Sequence, residues 1–363
     1  MCGISRQLFG DKLTCRDEKG RPIDWYYLYK LPKNYESELA SNEISSDKTG
    51  LRYIFISSDN DEKWHFSTTF INESKSFPGQ TLAPIYDDQN DLMTLFYNDE
   101  NPNGTVNFIE GHTKGVLAAN NQSGFWLIHS VPKYPNITKY EYPKNGLHYG
   151  QSFLCITLPP NQINIVGEQF LYNEPNIYYE KIPNTYKNNF PNIEKVLQKS
   201  WKSQGPGPYF NEAEIISTGG TKFRSFAKGR KFEQELYEDL VAPQLNVNLM
   251  VESWRLGEGN LPSDCKKPTY VYNIKSISLN AFNIKFKTTL DHSKWAVSDG
   301  NPWICVGDIN RQEHQLIRGG GTVCQLNNVL ANIYNKLINE IENCPKNSTN
   351  SIVNSNSYNT NLK

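Results

Sequence analysis

Short apolar and aromatic runs, broken by Gly, Pro, Asn and Asp, recur along the whole chain. That is the rhythm of strands rather than of long helices. Residues 23–30 (IDWYYLYK) read as a buried aromatic strand, 51–56 (LRYIFI) as a second and 64–70 as a third. Residues 35–50 are polar and acidic and predict a surface loop, 59–63 a turn, and 88–94 a short helix. Residues 104–120 read as a strand and 121–124 (NQSG) as a turn. Residues 125–132 (FWLIHSVP) return as its partner, with Phe125, Leu127 and His129 on one face by alternation. Residues 151–158 (QSFLCITL) form a strand that ends at Pro159-Pro160. The stretch 161–208, polar and rich in Asn, Tyr and Pro, reads as a bridge, with a short helix at 193–200.

The second half repeats this grammar. Strands are predicted at 213–218, 246–254, 271–286 and 303–310, a helix at 232–241 and a tight loop at 318–321 (RGGG). Leu326, Val329, Leu330, Ile333, Leu337, Ile338 and Ile341 follow helical spacing and predict one closing amphipathic helix. The chain therefore divides into a leading segment 1–12, a half 13–160, a connecting region 161–208, a half 209–345 and a low-complexity tail 346–363 expected to be disordered.

The chemistry lies in a pattern that occurs once per half. Gly111-His112-Thr113-Lys114-Gly115 and Asp291-His292-Ser293-Lys294-Trp295 each place an imidazole beside an ammonium on one side of an extended segment. A single His-x-Lys carries almost no information. Two copies in similar settings predict a site at the seam of two similar halves. There one imidazole attacks phosphorus, the other protonates the leaving oxygen, and the lysines neutralise the phosphoryl oxygens. His129 is carried to a strand end, where it reaches the site or merely packs. Lys222, Arg224, Phe226 and Lys228 form a basic, aromatic-interleaved segment suited to phosphate contact and base stacking, or else a solvated loop.

Bulk properties sharpen this only in places. The formal charge is −1, so a polyanion must be held locally, and protonating all six histidines moves it to +5, which favours acid conditions. No apolar run approaches the roughly 20 residues needed to span a bilayer, so no membrane partner is expected. The seven cysteines form no C-x-x-C cluster, so no structural metal and no cofactor are expected. Five N-x-S/T acceptors, at Asn72, Asn103, Asn121, Asn136 and Asn347, together with the dispersed cysteines, favour a secretory route with disulfides. Residues 1–13 lack an apolar leader core, so a signal peptide is expected to have been trimmed or left out, and Cys2 is the odd thiol.

At this point the residues carry a resemblance. Residues 13–32 (LTCRDEKGRPIDWYYLYKLP), 112–132 (HTKGVLAANNQSGFWLIHSVP), 225–243 (SFAKGRKFEQELYEDLVAP) and 291–310 (DHSKWAVSDGNPWICVGDIN) resemble the deoxyribonuclease II family, from about residue 13 to about 344. The resemblance implies a mixed α/β, phospholipase D-like fold, in which two sheet-and-helix halves form one pseudo-dimeric catalytic unit. It implies metal-free hydrolysis of DNA to 3′-phosphate ends at acid pH, in a lysosomal or secreted protein that is a monomer or homodimer. It implies the disulfides Cys15–Cys155, Cys265–Cys344 and Cys305–Cys324, which the sequence alone leaves open. It also places the family's third important histidine on His129. Asn310 joins Lys222, Arg224, Phe226 and Lys228 as a candidate substrate-binding position.

The wider superfamily has an Asp after the motif lysine with four residues between. Asp299 fills that place in the second copy and Ala119 in the first, so the partner that orients His112 is unidentified. His112 is taken as nucleophile and His292 as general acid, although the near-symmetry of the pair allows the reverse. Two other readings remain: a catalytically silent nucleic-acid-binding relative, and a phosphodiesterase of the same fold acting on another substrate. His65, His148 and His314 are read as ordinary residues.

Overall fold

The computed structural model describes residues 12–37, 47–87, 91–186, 188–300 and 302–345. The tail 346–363 with Asn347, and Cys2, lie outside them. The first sheet is built from β1 (Trp25–Lys30), β2 (Tyr53–Ser57), β3 (Asn60–Phe66), β4 (Met93–Asn98), β5 (Lys114–Ala119), β6 (Gly124–His129), β7 (Gln151–Leu158) and, beyond helix α1 (Pro160–Asn173), β8 (Ile177–Lys181). These strands lie in the order β8-β4-β5-β6-β7-β1-β2-β3, every neighbour antiparallel.

The second sheet takes β9 (Phe210–Ile216), β10 (Lys222–Lys228), β11 (Asn248–Glu252), β12 (Val271–Leu279), β13 (Ile284–Lys287), β14 (Trp295–Asp299), β15 (Trp303–Gly307) and β16 (Gly320–Leu326). Their order is β9-β10-β16-β15-β14-β11-β12-β13, antiparallel except for β11 with β12. Helix α2 (Asn328–Asn335) follows, and β17 (Ile338–Ile341) pairs with β12. The pair Glu36–Ser37 crosses over to extend the second sheet beside β13.

The two sheets repeat one motif. The run β4-β5-β6-β7-β1 has the same connectivity and directions as β11-β14-β15-β16-β10. Alternation divides the apolar residues between layers: Val116, Ala118, Phe125 and Leu127 face an outer cluster, while Leu117, Ala119, Trp126 and Ile128 face a central one. That central cluster is shared, because Trp295, Val297, Ile304, Val306 and Val323 enter it from the second sheet. Ile163, Val166 and Phe170 of α1 and Leu330 and Tyr334 of α2 enter it too. A common core of this kind joins the halves by burial of apolar surface.

Four expectations need correction. Residues 60–63 lie in β3 rather than in a turn. Residues 93–94 lie in β4 rather than in a helix. Pro160 does not merely break a strand. It is the first residue of a 14-residue helix, where its fixed φ and missing N–H cost nothing. The predicted closing helix stops at Asn335, and Ile338 and Ile341 belong to β17. Three disulfides are present, Cys15–Cys155, Cys265–Cys344 and Cys305–Cys324, the same pairs that the family resemblance implied. Asn72, Asn103 and Asn121 are exposed and Asn136 is half-buried. No helix among the described residues is long and apolar enough to cross a membrane.

Candidate active site

Each motif histidine sits just ahead of a strand rather than within it: His112 precedes β5, which Lys114 begins, and His292 precedes β14. The loops that hold them are fixed by the opposite half. The His112 backbone N–H donates to Gly319 O at 2.8 Å, and that of His292 to Gly150 O at 2.9 Å. Gly319 and Gly150 each lead into the equivalent strand of the other sheet, β16 and β7. The rings follow the same rule. His112 Nδ1 lies 2.6 Å from Asp308 O, just past β15, and His292 Nδ1 lies 2.8 Å from Ser130 O, just past β6. A carbonyl only accepts, so each Nδ1 carries a proton and each Nε2 is left for chemistry.

The close approach explains two glycines. A Cβ on Gly111 would lie 2.0 Å from Asn173 O, and one on Gly319 would lie 2.3 Å from the same atom. The C-terminal end of α1 is wedged between the two loops, and Gly111 N–H donates to Glu174 O at 2.6 Å.

Buried lysines hold the same loops from below. Lys228, at the end of β10, donates from Nζ to Gln315 O, Leu316 O and Arg318 O at 2.8–2.9 Å. Lys30, at the equivalent end of β1, donates to Leu147 O at 3.1 Å. Burial lowers both amines, Lys228 to about 8.

Around the two rings the charges are not symmetric. Lys114 Nζ pairs with Asp99, and Arg318 Nη1 lies 3.5 Å from the same carboxylate. Arg318 also donates to Asn107 O, Glu110 O and Gly111 O, which pins the loop ahead of His112. His112 Nε2 is 3.6 Å from Asp99 Oδ2. Lys294 Nζ donates to His292 O at 2.6 Å.

Burial and then neighbouring charge push both imidazoles well below their ordinary pKa. Lys294 acts on His112, and Lys114 and His112 both act on His292, so the four groups share one electrostatic environment. Below His292, Asp291 accepts from Tyr29 and from Ser293 Oγ at 2.8 Å. Burial pushes Asp291 and Glu252 up, and Asp308 up to about 7. Beside His292 an aromatic edge leads outward. Trp254 meets the imidazole edge-on at 5.0 Å between centroids, and Tyr149 meets Trp254 at 4.5 Å.

The remaining sequence candidates fall elsewhere. His129 is fully buried between Tyr134 and Phe153. It accepts from Val131 N–H at Nδ1, and among the described residues its Nε2 has no partner. Its links to the site are the neighbouring Ser130 carbonyl and the charge of Lys114. Phe226 is 0% exposed, packed in the outer core of the second half, so it presents no face for stacking.

Lys222 and Arg224 pair with Glu214 and Glu212. Lys222 begins β10 at the opposite end from Lys228, ~20 Å away along a strand rising about 3.3 Å per residue. Asn310 is buried and its Oδ1 accepts from the Trp254 backbone N–H at 3.2 Å, so it holds the main chain at that residue. Asp299 is exposed at the far end of β14. The glycine loop does not offer its amides freely, since Gly321 N–H donates to Asp308 Oδ1 at 3.1 Å.

The groups missed in the sequence are Asp99, Arg318, Trp254, and the carbonyls of Ser130 and Asp308. Among the described residues no cluster of three or more His, Cys, Asp or Glu side chains is arranged to hold a metal ion.

Comparison with known proteins follows the same lines. The family model for Deoxyribonuclease II matches residues 14–344. The mouse (Mus musculus) protein Deoxyribonuclease-2-beta is 38% identical over 342 residues, covering 92% of this chain and 93% of its own. Its human (Homo sapiens) counterpart is 36% identical over 353 residues, covering 94% of each. Plancitoxin-1 of Acanthaster planci is 35% identical over 342 residues, covering 92% of this chain and 93% of its own. With two matched sheets, two reciprocally clamped histidines and a family match over nearly its whole length, the chain belongs to the deoxyribonuclease II family.

Proposed function

We propose that the chain is an acid endodeoxyribonuclease that hydrolyses DNA phosphodiesters to 3′-phosphate ends through its two histidines, without a metal or other cofactor. The observation that carries this reading is the reciprocal clamp. A main-chain carbonyl of each half fixes the Nδ1–H of the other half's histidine, so both Nε2 atoms are pre-oriented. Lys114 and Lys294 supply the positive charge that a pentacoordinate phosphorus needs, and losing either costs on the order of a hundredfold in rate. The mouse and human relatives are deoxyribonucleases by name, which favours DNA over a lipid head group and catalysis over silent binding.

The acid preference follows from the same geometry. The leaving 5′-oxygen takes its proton from an imidazolium, and both imidazoles titrate below their ordinary range because they are buried beside lysines. Activity is therefore lost as pH rises and that proton goes. The exposed acceptors Asn72, Asn103 and Asn121, the half-buried Asn136 and the disulfides suit a glycosylated lysosomal or secreted protein, acting as monomer or homodimer.

The test is supercoiled DNA at about pH 5 with excess chelator. The wild-type protein is expected to nick it and leave 3′-phosphates, and His112→Ala and His292→Ala to leave it whole. Intact DNA with wild-type protein, or cleavage that disappears on chelation, would sink the reading.

A further inference from the structure

The two histidines are clamped alike but charged differently. We infer that this difference assigns their roles: His292 is the nucleophile and His112 the general acid, the reverse of the order taken from the sequence. The inference rests on the paired-histidine reading above and deepens it.

The asymmetry is geometric. His112 Nε2, the reactive atom, faces Asp99 Oδ2 at 3.6 Å. Asp99 is buried, and although burial works against its charge, Lys114, His112 and Arg318 hold it ionised well below the usual carboxylate range. His112 is the one histidine in an ion pair among the described residues. Among the described residues no carboxylate pairs with the His292 ring. Its neighbours are Trp254 edge-on, the Ser130 carbonyl at Nδ1 and Gln151 Oε1 at 3.4 Å.

The charged groups facing each ring complete the contrast. At His112 burial, Lys114, Arg318 and Lys294 favour the neutral form while Asp99 favours the cation. At His292 burial, Lys294, Lys114 and His112 favour the neutral form, and the hydrogen bond to Ser130 O favours the cation. An imidazolium is thus better accommodated at position 112. A neutral ring with a free Nε2 lone pair is the resting form at position 292. A bound phosphodiester adds negative charge near both rings and leaves that order intact.

The chemistry balances. The His292 Nε2 lone pair attacks phosphorus and forms the P–N bond as the P–O5′ bond breaks, and the 5′-oxygen takes the proton from His112 Nε2. His112, now neutral, accepts a proton from water as the water oxygen attacks phosphorus and the P–N bond breaks. The products are a 5′-hydroxyl and a 3′-phosphate, with His292 neutral and His112 again protonated. Asp99 makes and breaks no bond in this scheme. From 3.6 Å it acts on His112 Nε2 alone, by holding the proton there.

The test uses two substrates at acid pH with chelator: supercoiled DNA, and bis(4-nitrophenyl) phosphate, whose leaving group departs without protonation. Wild-type protein is expected to turn over both. His112→Gln should lose DNA cleavage by at least about a thousandfold, yet release about one equivalent of nitrophenolate as a burst. Because His112 also activates the water, a phosphoryl adduct on His292 should accumulate and be found by mass spectrometry. His292→Gln should give neither burst nor adduct.

Asp99→Asn should move the alkaline limb of the DNA cleavage profile down by about one pH unit. Placed in the His112→Gln background, Asp99→Asn should leave the pH dependence of the nitrophenolate burst unmoved, which a loss of structure would not do. An adduct on His112, a burst from His292→Gln, bursts from both variants, or none from either while wild type cleaves both substrates would overturn the assignment. Failure of wild type on both substrates would instead overturn the nuclease reading itself.

Discussion

Asp308 offers the sharpest single test of the site's electrostatics. Its carboxyl is buried and accepts from Gly321 N–H, and burial raises its pKa from 3.8 to about 7. The sign follows from linkage. Below 3.8 both folded and unfolded states hold the proton, and there is no penalty. As pH rises above 3.8 the unfolded chain releases its proton while the folded one keeps it, so the fold loses stability until pH passes about 7 and the penalty levels off.

A gap of about three units at 1.36 kcal/mol each gives about 4 kcal/mol between pH 4 and pH 8. Asp308→Asn imitates the protonated acid and cannot ionise. Urea unfolding of wild type and variant at both pH values should show the variant gaining about 4 kcal/mol on wild type between pH 4 and pH 8. Groups that do not interact with Asp308 cancel in that difference. Equal differences at the two pH values would refute the burial argument for Asp308.

Other expectations can be checked on the same protein. His129→Ala strands the Val131 N–H and leaves a cavity between Tyr134 and Phe153, and should cost about 3–5 kcal/mol in urea unfolding. His129→Asn, which keeps an acceptor at that position, should cost less, and a variant of full stability that no longer cleaves DNA would instead put His129 in the chemistry. Lys228→Met leaves three inward carbonyls without their donor and should lower stability by about 3 kcal/mol or more, and wild-type stability would show that those carbonyls find water. Trp254→Ala should raise KM for DNA about tenfold, the worth of one stacked base, while barely changing kcat on bis(4-nitrophenyl) phosphate, and an unchanged KM would remove Trp254 from the DNA path.

How far the sequence could be read depended on whether function lay in side chains or in the backbone. The two His-x-Lys motifs and the hairpin after the first were legible because residue type and alternation are written in the chain. The groups that orient the rings were not, since the carbonyls of Ser130 and Asp308 belong to no residue type. Asp99 comes from the loop after β4, fifteen residues before its partner Lys114, and nothing in the string marks that pairing. Pro160 was misread because a proline that ends one element can also begin the next.

The segment with Lys222, Arg224, Phe226 and Lys228 was misjudged for a different reason. Alternation does place all four on one face of β10, but that face runs from solvent into the core beneath Leu236 and Tyr237. Charge and aromaticity alone do not distinguish the wet end of such a strand from its dry end.

All three sulfur bridges stay within one half: Cys15–Cys155 before the connecting stretch, Cys265–Cys344 and Cys305–Cys324 after it. One backbone cut near residues 182–190 would therefore yield two fragments with no covalent tie. Since each fragment brings half the chemistry and the hinge pin for its partner's imidazole, neither would turn over substrate by itself. Mixing them should restore cleavage in step with their association, and the working lifetime of a clipped molecule would be its dissociation time.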